Sequence, residues 1–400
     1  MHHDPVAQIA SPQAVGYIDS LHERSHLVYA AFMQLSRLFG TTSESETHAS
    51  TRHFFRWLTT DMLVLISTRI RVLSVYRQLS KVEPRHSCSS SVSLIDQIER
   101  IENQIQDAVT HPCLRGIRLH VRTELSALHR LLSAQHHMAQ HLFRETTLDL
   151  YLCRKTLDTW HYDSALLLES KGTPHTPKLF SWLSTFHKAL LHKSNLYFHK
   201  TLLRLDFKRE LKTLLDKEAS YPHLIEQFCQ NTQCAYFCLI REPSSCDEFT
   251  KKTRNPTQDD YTHAAALPVK KKPGPPATGI HSWRIVYMHH RSNVPGDASL
   301  DKTVAEKERQ LIDEHWPNVV SLIQYHYELL DQYEKKSVQE PDHRLGITYF
   351  LTKVEQNFYI MLLYNRIRQC EPLITEFLNR IVHALQNKHL IQKLDNGNLP

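Results

Sequence analysis

Glycine is scarce in this sequence, with 9 among 400 residues, where average usage of ~7% would supply about 28. Such poverty argues against an enzyme built on a Gly-rich phosphate loop and against a turn-dense β-sandwich, and it excludes a collagen. No P-loop, dinucleotide-binding fingerprint or Gly-x-Ser-x-Gly elbow occurs. Long apolar runs are missing too. The richest stretch, Met62 to Ile70, is interrupted by Ser67, Thr68 and Arg69, well short of the ~18 apolar residues a membrane span needs. Charge of one sign is also absent: 48 Lys+Arg against 42 Asp+Glu leave +6, without the clustered excess of a nucleic-acid footprint. The start, Met1-His2-His3-Asp4-Pro5, lacks a basic segment followed by an apolar one, so no secretory leader is expected. Eight cysteines (88, 113, 153, 229, 234, 238, 246 and 370) form no framework and read as reduced thiols of a cytoplasmic protein. What is abundant is histidine, at 28 residues.

The first half reads as a series of amphipathic helices. Ile18, Leu21, Val28, Phe32, Leu35 and Phe39 follow helical spacing, with Gly40 at the expected terminus. A second helix, from about Phe54 to Lys81, places Phe55, Leu58, Met62, Leu65, Leu73 and Tyr76 on one face, and Pro84 ends it. Leu94, Ile98, Ile101 and Ile105 mark a third, with Ser93 and Asp96 as a capping-box variant at its start and Pro112 at its close. Val121, Leu125, Leu128 and Leu132 open a helix that can run to Trp160. After a break at Gly172, Pro174 and Pro177, a fifth starts at Leu179 and reaches about Leu205. Five helices of ~20–40 residues predict an antiparallel bundle.

The pattern changes near residue 230. The run from Cys234 to Ile240 reads as a buried strand. Residues 241–280 contain six prolines and no periodic apolar face, which predicts a disordered, dispensable insertion. Arg284 to His289 reads as another strand, Asp301 to Glu314 as a helix, and Ile347–Thr352 with Phe358–Tyr364 as a hairpin around Glu355-Gln356-Asn357. Leu373, Phe377, Ile381, Leu385 and Leu390 make a last helix. These elements predict a small α+β domain, one face of whose antiparallel sheet is covered. Pro317 to Lys336 reads two ways: helical by spacing and composition, or a strand opening at Val319.

The residues that could carry chemistry have plain alternative readings. His137 and His141 stand four apart within the fourth predicted helix, but no glutamate sits beside the first to activate a metal-bound water. His136 joins them on what reads as a solvated face. Only His192 and His199, of the set His187, His192 and His199, share a face of the fifth helix. Cys229, Cys234 and Cys238 lack the spacing of a zinc ribbon. Residues 234 and 238 of one strand point the same way, as small buried hydrophobes. Lys270–Lys272 reads as a solvated loop. No catalytic, cofactor-binding or metal-ligating residue is expected.

Leu131–Gln135, Thr156–Trp160, Pro177–Leu183, Tyr197–His199, Leu211–Leu214, Thr348–Thr352, Phe377–Asn379 and Ala384-Leu385 occur in an order and spacing that resemble the small helical-plus-α/β subunit family of the KICSTOR complex. The resemblance covers residues 119–240 and 347–390, while the first ~110 residues match only in being helical. A His-Trp-Pro-Asn element before a strand in that family has two counterparts here, His315–Asn318 and His281-Ser-Trp283. The second agrees better with local preference and makes 315–340 an inserted helix.

The resemblance implies an α+β architecture. An antiparallel helical bundle over 1–205 is followed by a roadblock/longin-like antiparallel-sheet domain over 206–400, with the insertion at 241–280. It implies a non-catalytic scaffold without cofactors, at the cytosolic face of lysosomes through its partners. Those partners are other KICSTOR-like subunits (kaptin-like and FG-repeat propeller proteins and a very large scaffold protein) and the GATOR complex. The assembly restrains mTOR signalling when amino acids or glucose are scarce. Two rivals come from other classes: a metal-dependent hydrolase using the helical histidines, and a basic RNA- or membrane-surface-binding protein. Phe180, Trp182, Phe186, Tyr197 and Phe198 exceed what one helix face can bury, so they either weld the two halves together or form a partner surface.

Overall fold

The computed structural model describes residues 17–41, 49–81, 87–168, 178–204, 220–243, 283–291, 300–332, 337–369 and 371–395. Pro84, the break at Gly172, Pro174 and Pro177, the Leu211–Leu214 segment, His281-Ser282 and nearly all of the 241–280 tract lie outside them.

The helical half consists of α1 (Tyr17–Thr41), α2 (Ala49–Lys81), α3 (Ser87–Ala108), α4 (Arg115–Ala139), α5 (Phe143–Leu168), α6 (Lys178–Tyr197) and α7 (His199–Arg204). The apolar stripe of α3 is buried as its spacing predicts: Leu94, Ile98, Ile101 and Ile105 are all in the core. Several boundaries differ from expectation. Gly40 lies inside α1, and Ser93 lies inside α3, which begins at Ser87, so neither residue caps a helix. Pro112 instead opens a 3₁₀ turn, Pro112–Leu114, between α3 and α4.

The helix expected to run from Val121 to Trp160 is two helices. At the end of α4, His141 takes a left-handed φ of 61°. The Leu142 amide donates to the His137 carbonyl and the His141 amide to that of Met138, both at 2.9 Å. This pair of bonds is a Schellman motif, which reverses the chain without glycine. Gln233 and Asn387 take left-handed φ in the same way, at 59° and 55°. In a glycine-poor chain, side chains that tolerate the strain poorly occupy helix ends, so periodicity alone runs through them.

The second half adds α8 (Tyr221–Thr232), β1 (Tyr236–Arg241), β2 (Arg284–His290), α9 (Leu300–Glu314), α10 (Trp316–Tyr325), α11 (Tyr327–Asp331), β3 (Val338–Asp342), β4 (Ile347–Glu355), β5 (Phe358–Tyr364), α12 (Pro372–Leu385) and α13 (Lys388–Asp395). The strands form one antiparallel sheet in the order β2-β1-β5-β4-β3. The open reading of 317–336 resolves to helix over its described part, in α10 and α11 as far as Asp331, while the end of the inserted helix expected over 315–340 is instead strand, in β3. Two elements have no counterpart among the sequence expectations: α8, although Tyr221, Ile225, Phe228 and Cys229 follow helical spacing and are buried, and edge strand β3, whose Val-Gln-Glu-Pro-Asp sequence is mostly polar. The last predicted helix is divided at Gln386-Asn387.

Both faces of the sheet are covered, contrary to the single covered face expected. Phe237, Leu239, Phe350, Val354, Ile360 and Leu362 join a core with α8, α12 and the helical half. Tyr236, Cys238, Ile240, Leu351, Met361 and Leu363 face Leu311, Trp316, Val320 and Ile323 of α9 and α10. Burial on two sides explains why β4 and β5 read as continuous apolar runs rather than as alternation. Cys234 and Cys238 therefore lie on opposite sides, because the chain becomes extended only at Tyr236.

The helical half and the sheet share one continuous core. Trp182 Nε1 donates to the Leu390 carbonyl at 2.9 Å, and its ring meets Tyr76 and Phe186 at centroid distances of 5.9 and 5.2 Å. Phe198 stacks on His141 at 4.8 Å, and Tyr197 packs on Phe358 at 4.4 Å. Phe180 packs edge-on to Trp160 at 5.5 Å. The five aromatics thus weld elements of the same chain.

The weld includes a buried ion pair. Lys193 of α6 bonds Glu355 at the end of β4, and the Tyr197 hydroxyl donates to the other Glu355 oxygen at 3.0 Å. Lys193 and Glu355 are 1% and 5% exposed, so removing either partner strands a charge in the core. Glu355→Ala should cost about 3–5 kcal/mol in urea unfolding, whereas Lys193→Met with Glu355→Leu should cost only the ~1–3 kcal/mol of the Tyr197 hydroxyl left without its acceptor. A single change as mild as the double would disprove the coupling. At the exposed end of α8, Gln233→Gly should stabilise by about 0.5–1 kcal/mol, since no side-chain contact offsets its left-handed backbone. An unchanged or lower midpoint would mean that the Gln233 backbone carries no strain worth relieving.

Candidate functional site

The sequence-predicted histidines and cysteines are distributed through packing positions. His141 lies beyond the end of α4, in the reversing turn, so it and His137 are not successive turns of one helix face. His137 Nδ1 instead bonds Asp149 Oδ2 of α5 at 2.9 Å, and Arg130 reaches Asp149 Oδ1 at 2.9 Å. Asp149 is buried, and Arg130 and His137 each hold one of its oxygens across the α4–α5 interface. His187 Nε2 lies 3.0 Å from the Leu150 carbonyl, and His199 belongs to α7, where its ring meets Tyr287 edge-on at 5.0 Å. Among the described residues no three His, Cys, Asp or Glu side chains are grouped to hold a metal ion.

The thiols are held protonated. Burial pushes Cys153 up to about 12. Its hydrogen bond with Cys234, then burial, raises Cys229, and burial raises Cys238. A thiol in that state is a poor nucleophile and a poor metal ligand. Cys113 is exposed at the 3₁₀ turn and stands apart from the others.

On the far side of the sheet, the Tyr359 hydroxyl donates to Glu242 Oε2 at 3.0 Å. Lys353 Nζ reaches Asp331 Oδ1 at 2.7 Å and lies 5.1 Å from the centre of the Tyr327 ring. Burial raises the Glu242 carboxyl above its usual range. These groups tie α11 to the sheet, as Lys193 and Glu355 tie α6 to it.

The surface departs from ordinary packing at one end of the bundle. Arg77 Nε of α2 donates to Asp19 Oδ1 of α1 at 2.7 Å, so the two helices are antiparallel, and the C-terminal part of α1 lies beside the N-terminal part of α2. There several apolar side chains stand at the surface. Val28 and Leu35 of α1 are exposed although they continue the face of buried Ile18, and Phe54, Phe55 and Trp57 of α2 are each 38–41% exposed. The ring of buried His111 sits 4.8 Å from Phe54 and 4.6 Å from Trp57. Asp61 Oδ2 accepts the amides of Thr110 and His111 at 2.7 Å each, and Trp57 Nε1 donates to Thr110 Oγ1 at 3.2 Å. The α3–α4 connection is thereby pinned against α2, and the rings are fixed. Sequence periodicity counted Phe55 and Leu35 as core. Only the missing neighbour shows that they are surface.

Six histidines share one electrostatic property. Burial is the largest cause lowering His22, His136, His187, His289 and His315, and it takes His290 down to about 4. The unfolded chain, with histidines near ~6.5, therefore binds more protons than the folded one once pH falls below that value. The stability these rings contribute is complete above about pH 6.5 and is lost towards their folded values. Glu102 and Glu242, raised by burial, oppose this only near the carboxylate range. The urea midpoint should be lower at pH 5.5 than at pH 7.5, by on the order of 1 kcal/mol allowing for partial exposure. A flat or rising midpoint across that interval would contradict it.

The family model described as "KICSTOR complex C12orf66 like" matches residues 18–267 and 289–398. A curated relative from Xenopus laevis, KICSTOR subunit 2, is 23% identical over 351 residues, covering 85% of this chain and 72% of that protein. The match takes in α1, α2 and α3, which the sequence had linked to the family only by being helical. It spans the bundle, both faces of the sheet and the returning C-terminal helices, so the chain belongs to the KICSTOR complex C12orf66-like family.

Proposed function

We propose that this chain is a non-catalytic scaffold subunit of a KICSTOR assembly. In this reading it joins kaptin-like and FG-repeat propeller subunits and a very large scaffold protein. Together they recruit the GATOR complex to the cytosolic face of lysosomes and restrain mTOR signalling when amino acids or glucose run short. The observation that carries the reading is the extent of the family match, which includes nearly every described element. The site chemistry agrees with it. Buried polar groups with chemical potential, among them Lys193, Glu355, Asp149 and Glu242, are engaged in joining one element to another. No helix among the described residues is long and apolar enough to cross a membrane, which is compatible with recruitment through partners. The division into a bundle over 1–205 and a roadblock/longin-like half over 206–400 belongs to the same proposal.

A tagged chain expressed with the other subunits should co-purify with them in fixed stoichiometry. Cells lacking it should keep mTOR signalling high after amino-acid withdrawal. Purification of the chain alone, with the subunits present in the same cells, would sink the scaffold reading. So would stoichiometric zinc whose chelation removes helicity, which is the behaviour of the hydrolase rival.

A further inference from the structure

The last two helices are attached in different ways. α12 buries Ile374, Phe377, Leu378, Ile381, Val382 and Leu385 in the core shared by the two halves. At its end Gln386 Nε2 donates to the Val354 carbonyl of β4 at 2.6 Å. The fixed structure stops at the next residue. Asn387 has a φ of 55°, and it is only 2% exposed. Neither its Oδ1 nor its Nδ2 has a hydrogen-bond partner in the protein. An asparagine that starts a helix normally turns its side-chain oxygen onto an amide two or three residues on. Here the Asn387 carbonyl accepts the Leu390 and Ile391 amides at 3.0 and 3.1 Å, so α13 does start there, but the side-chain oxygen caps nothing. The described side chains of α13 hold it lightly. Leu390 meets the shared core from a partly buried position, Ile391 is buried outside that core, and His389 and Gln392 are exposed. The helix lies against α1, α2 and α6, and Trp182 Nε1 of α6 donates to the Leu390 carbonyl.

We propose that α13 is a latch that swings off the bundle about Asn387 while α12 stays docked, uncovering the Trp182 edge of α6. Identifiable groups favour each position. With the latch closed, Trp182 keeps its acceptor, and Leu390 and Ile391 are removed from water. With it open, the Asn387 amide group regains hydrogen bonds to water, its backbone leaves the left-handed region, and Oδ1 is free to act as a cap. A buried polar group without a partner and a left-handed residue other than glycine both work against the closed form. Such features gather at segments that move. The hinge is sharply placed, because Gln386 is fixed to β4 and the side chain that follows it is fixed to nothing. Once released, Lys388–Asp395 is too short to stay helical in water by itself, so opening also melts it. The latch therefore controls access to Trp182, whose ring joins Tyr76 of α2 to the Leu390 carbonyl of α13. This inference goes beyond the scaffold reading and does not rest on it.

The test is amide hydrogen exchange of the full-length chain, read by mass spectrometry on peptic fragments that separate α12 from α13. Without denaturant, the α13 amides should exchange about tenfold faster than those of α12, or more, because they open locally and α12 does not. Asn387→Gly removes the buried amide group and suits a left-handed backbone. It should slow α13 exchange about threefold or more while α12 is unchanged. Trp182→Phe removes the donor to Leu390, and it should speed α13 exchange more than it speeds that of α12, so that a general loss of stability is told apart from release of the latch. Exchange of α12 and α13 at one rate would overturn the inference. So would fast α13 exchange that Asn387→Gly leaves unchanged, which is the behaviour of a helix fraying from its C-terminal end. Faster α13 exchange in Asn387→Gly would overturn it as well, since the amide would then be satisfied with the latch closed.

Discussion

The fold depends on how Glu355 is aimed. Strict alternation along β4 would send it to the same side as Lys353, away from the helical half. The register between β4 and β5 shifts between Lys353 and Glu355, so Val354 has no direct partner across the hairpin. That bulge turns both Val354 and Glu355 towards the bundle, where Glu355 receives Lys193 and the Tyr197 hydroxyl. Lys353 remains on the other face with Asp331. One extra residue thus lets a two-residue turn deliver a charge to each of two opposite layers. Neither charge is tolerable unless its partner helix is present. The pairs therefore specify which helices lie on which face, a requirement that apolar contact alone imposes weakly.

A second bulge acts in the same direction. Between β1 and β2, Leu239 pairs with Tyr287 and Ile240 with Ile285, leaving Val286 without a direct partner. Val286 and Tyr287 both reach the core shared with the helical half, and Tyr287 meets His199 of α7 there. The two irregularities lie in different strands, and both enlarge the sheet face that meets α6 and α7. The α12–α13 segment completes the join from the opposite chain end. Gln386 Nε2 donates to the Val354 carbonyl at 2.6 Å, and Trp182 of α6 donates to Leu390 of α13. First-half helices and last-half helices accordingly bury one another, although 208 residues separate Trp182 from Leu390.

Much of this was legible in the sequence, and the errors share causes. Stripes of period 3.6 located α3 and the core positions of α2 and α4, because burial there is one-sided and the period survives. The β4–β5 hairpin was legible from two apolar runs around a polar turn. Helix ends were misplaced at His141 and Asn387, where the usual signal, glycine, is replaced by residues that adopt left-handed backbone under tertiary constraint. Strand β3 was invisible because an edge strand with Pro341 carries no apolar alternation. The covering of both sheet faces was written in the unbroken apolar runs of β4 and β5, which a strand covered on one side would replace by alternation. The aromatics of α6 were correctly seen to exceed one face, yet only the geometry shows what takes the surplus: Tyr76, Phe143, Phe358 and the Leu390 carbonyl.

The candidate surface was the least legible element, for an instructive reason. A periodic stripe records which residues face one direction, not whether anything lies there. On α2 the stripe from Phe55 to Tyr76 is continuous in sequence, yet Leu73 and Tyr76 are fully buried while Phe55 is not. The difference arises from the neighbours. Tyr76 meets Trp182 of α6, whereas Phe54 and Trp57 pack on His111 of the α3–α4 connection and stay partly exposed. Exposing such rings is unfavourable in proportion to the apolar area left in water. An interior built with paired charges, reversed helix ends and double-sided sheet burial does not leave them exposed for want of packing solutions.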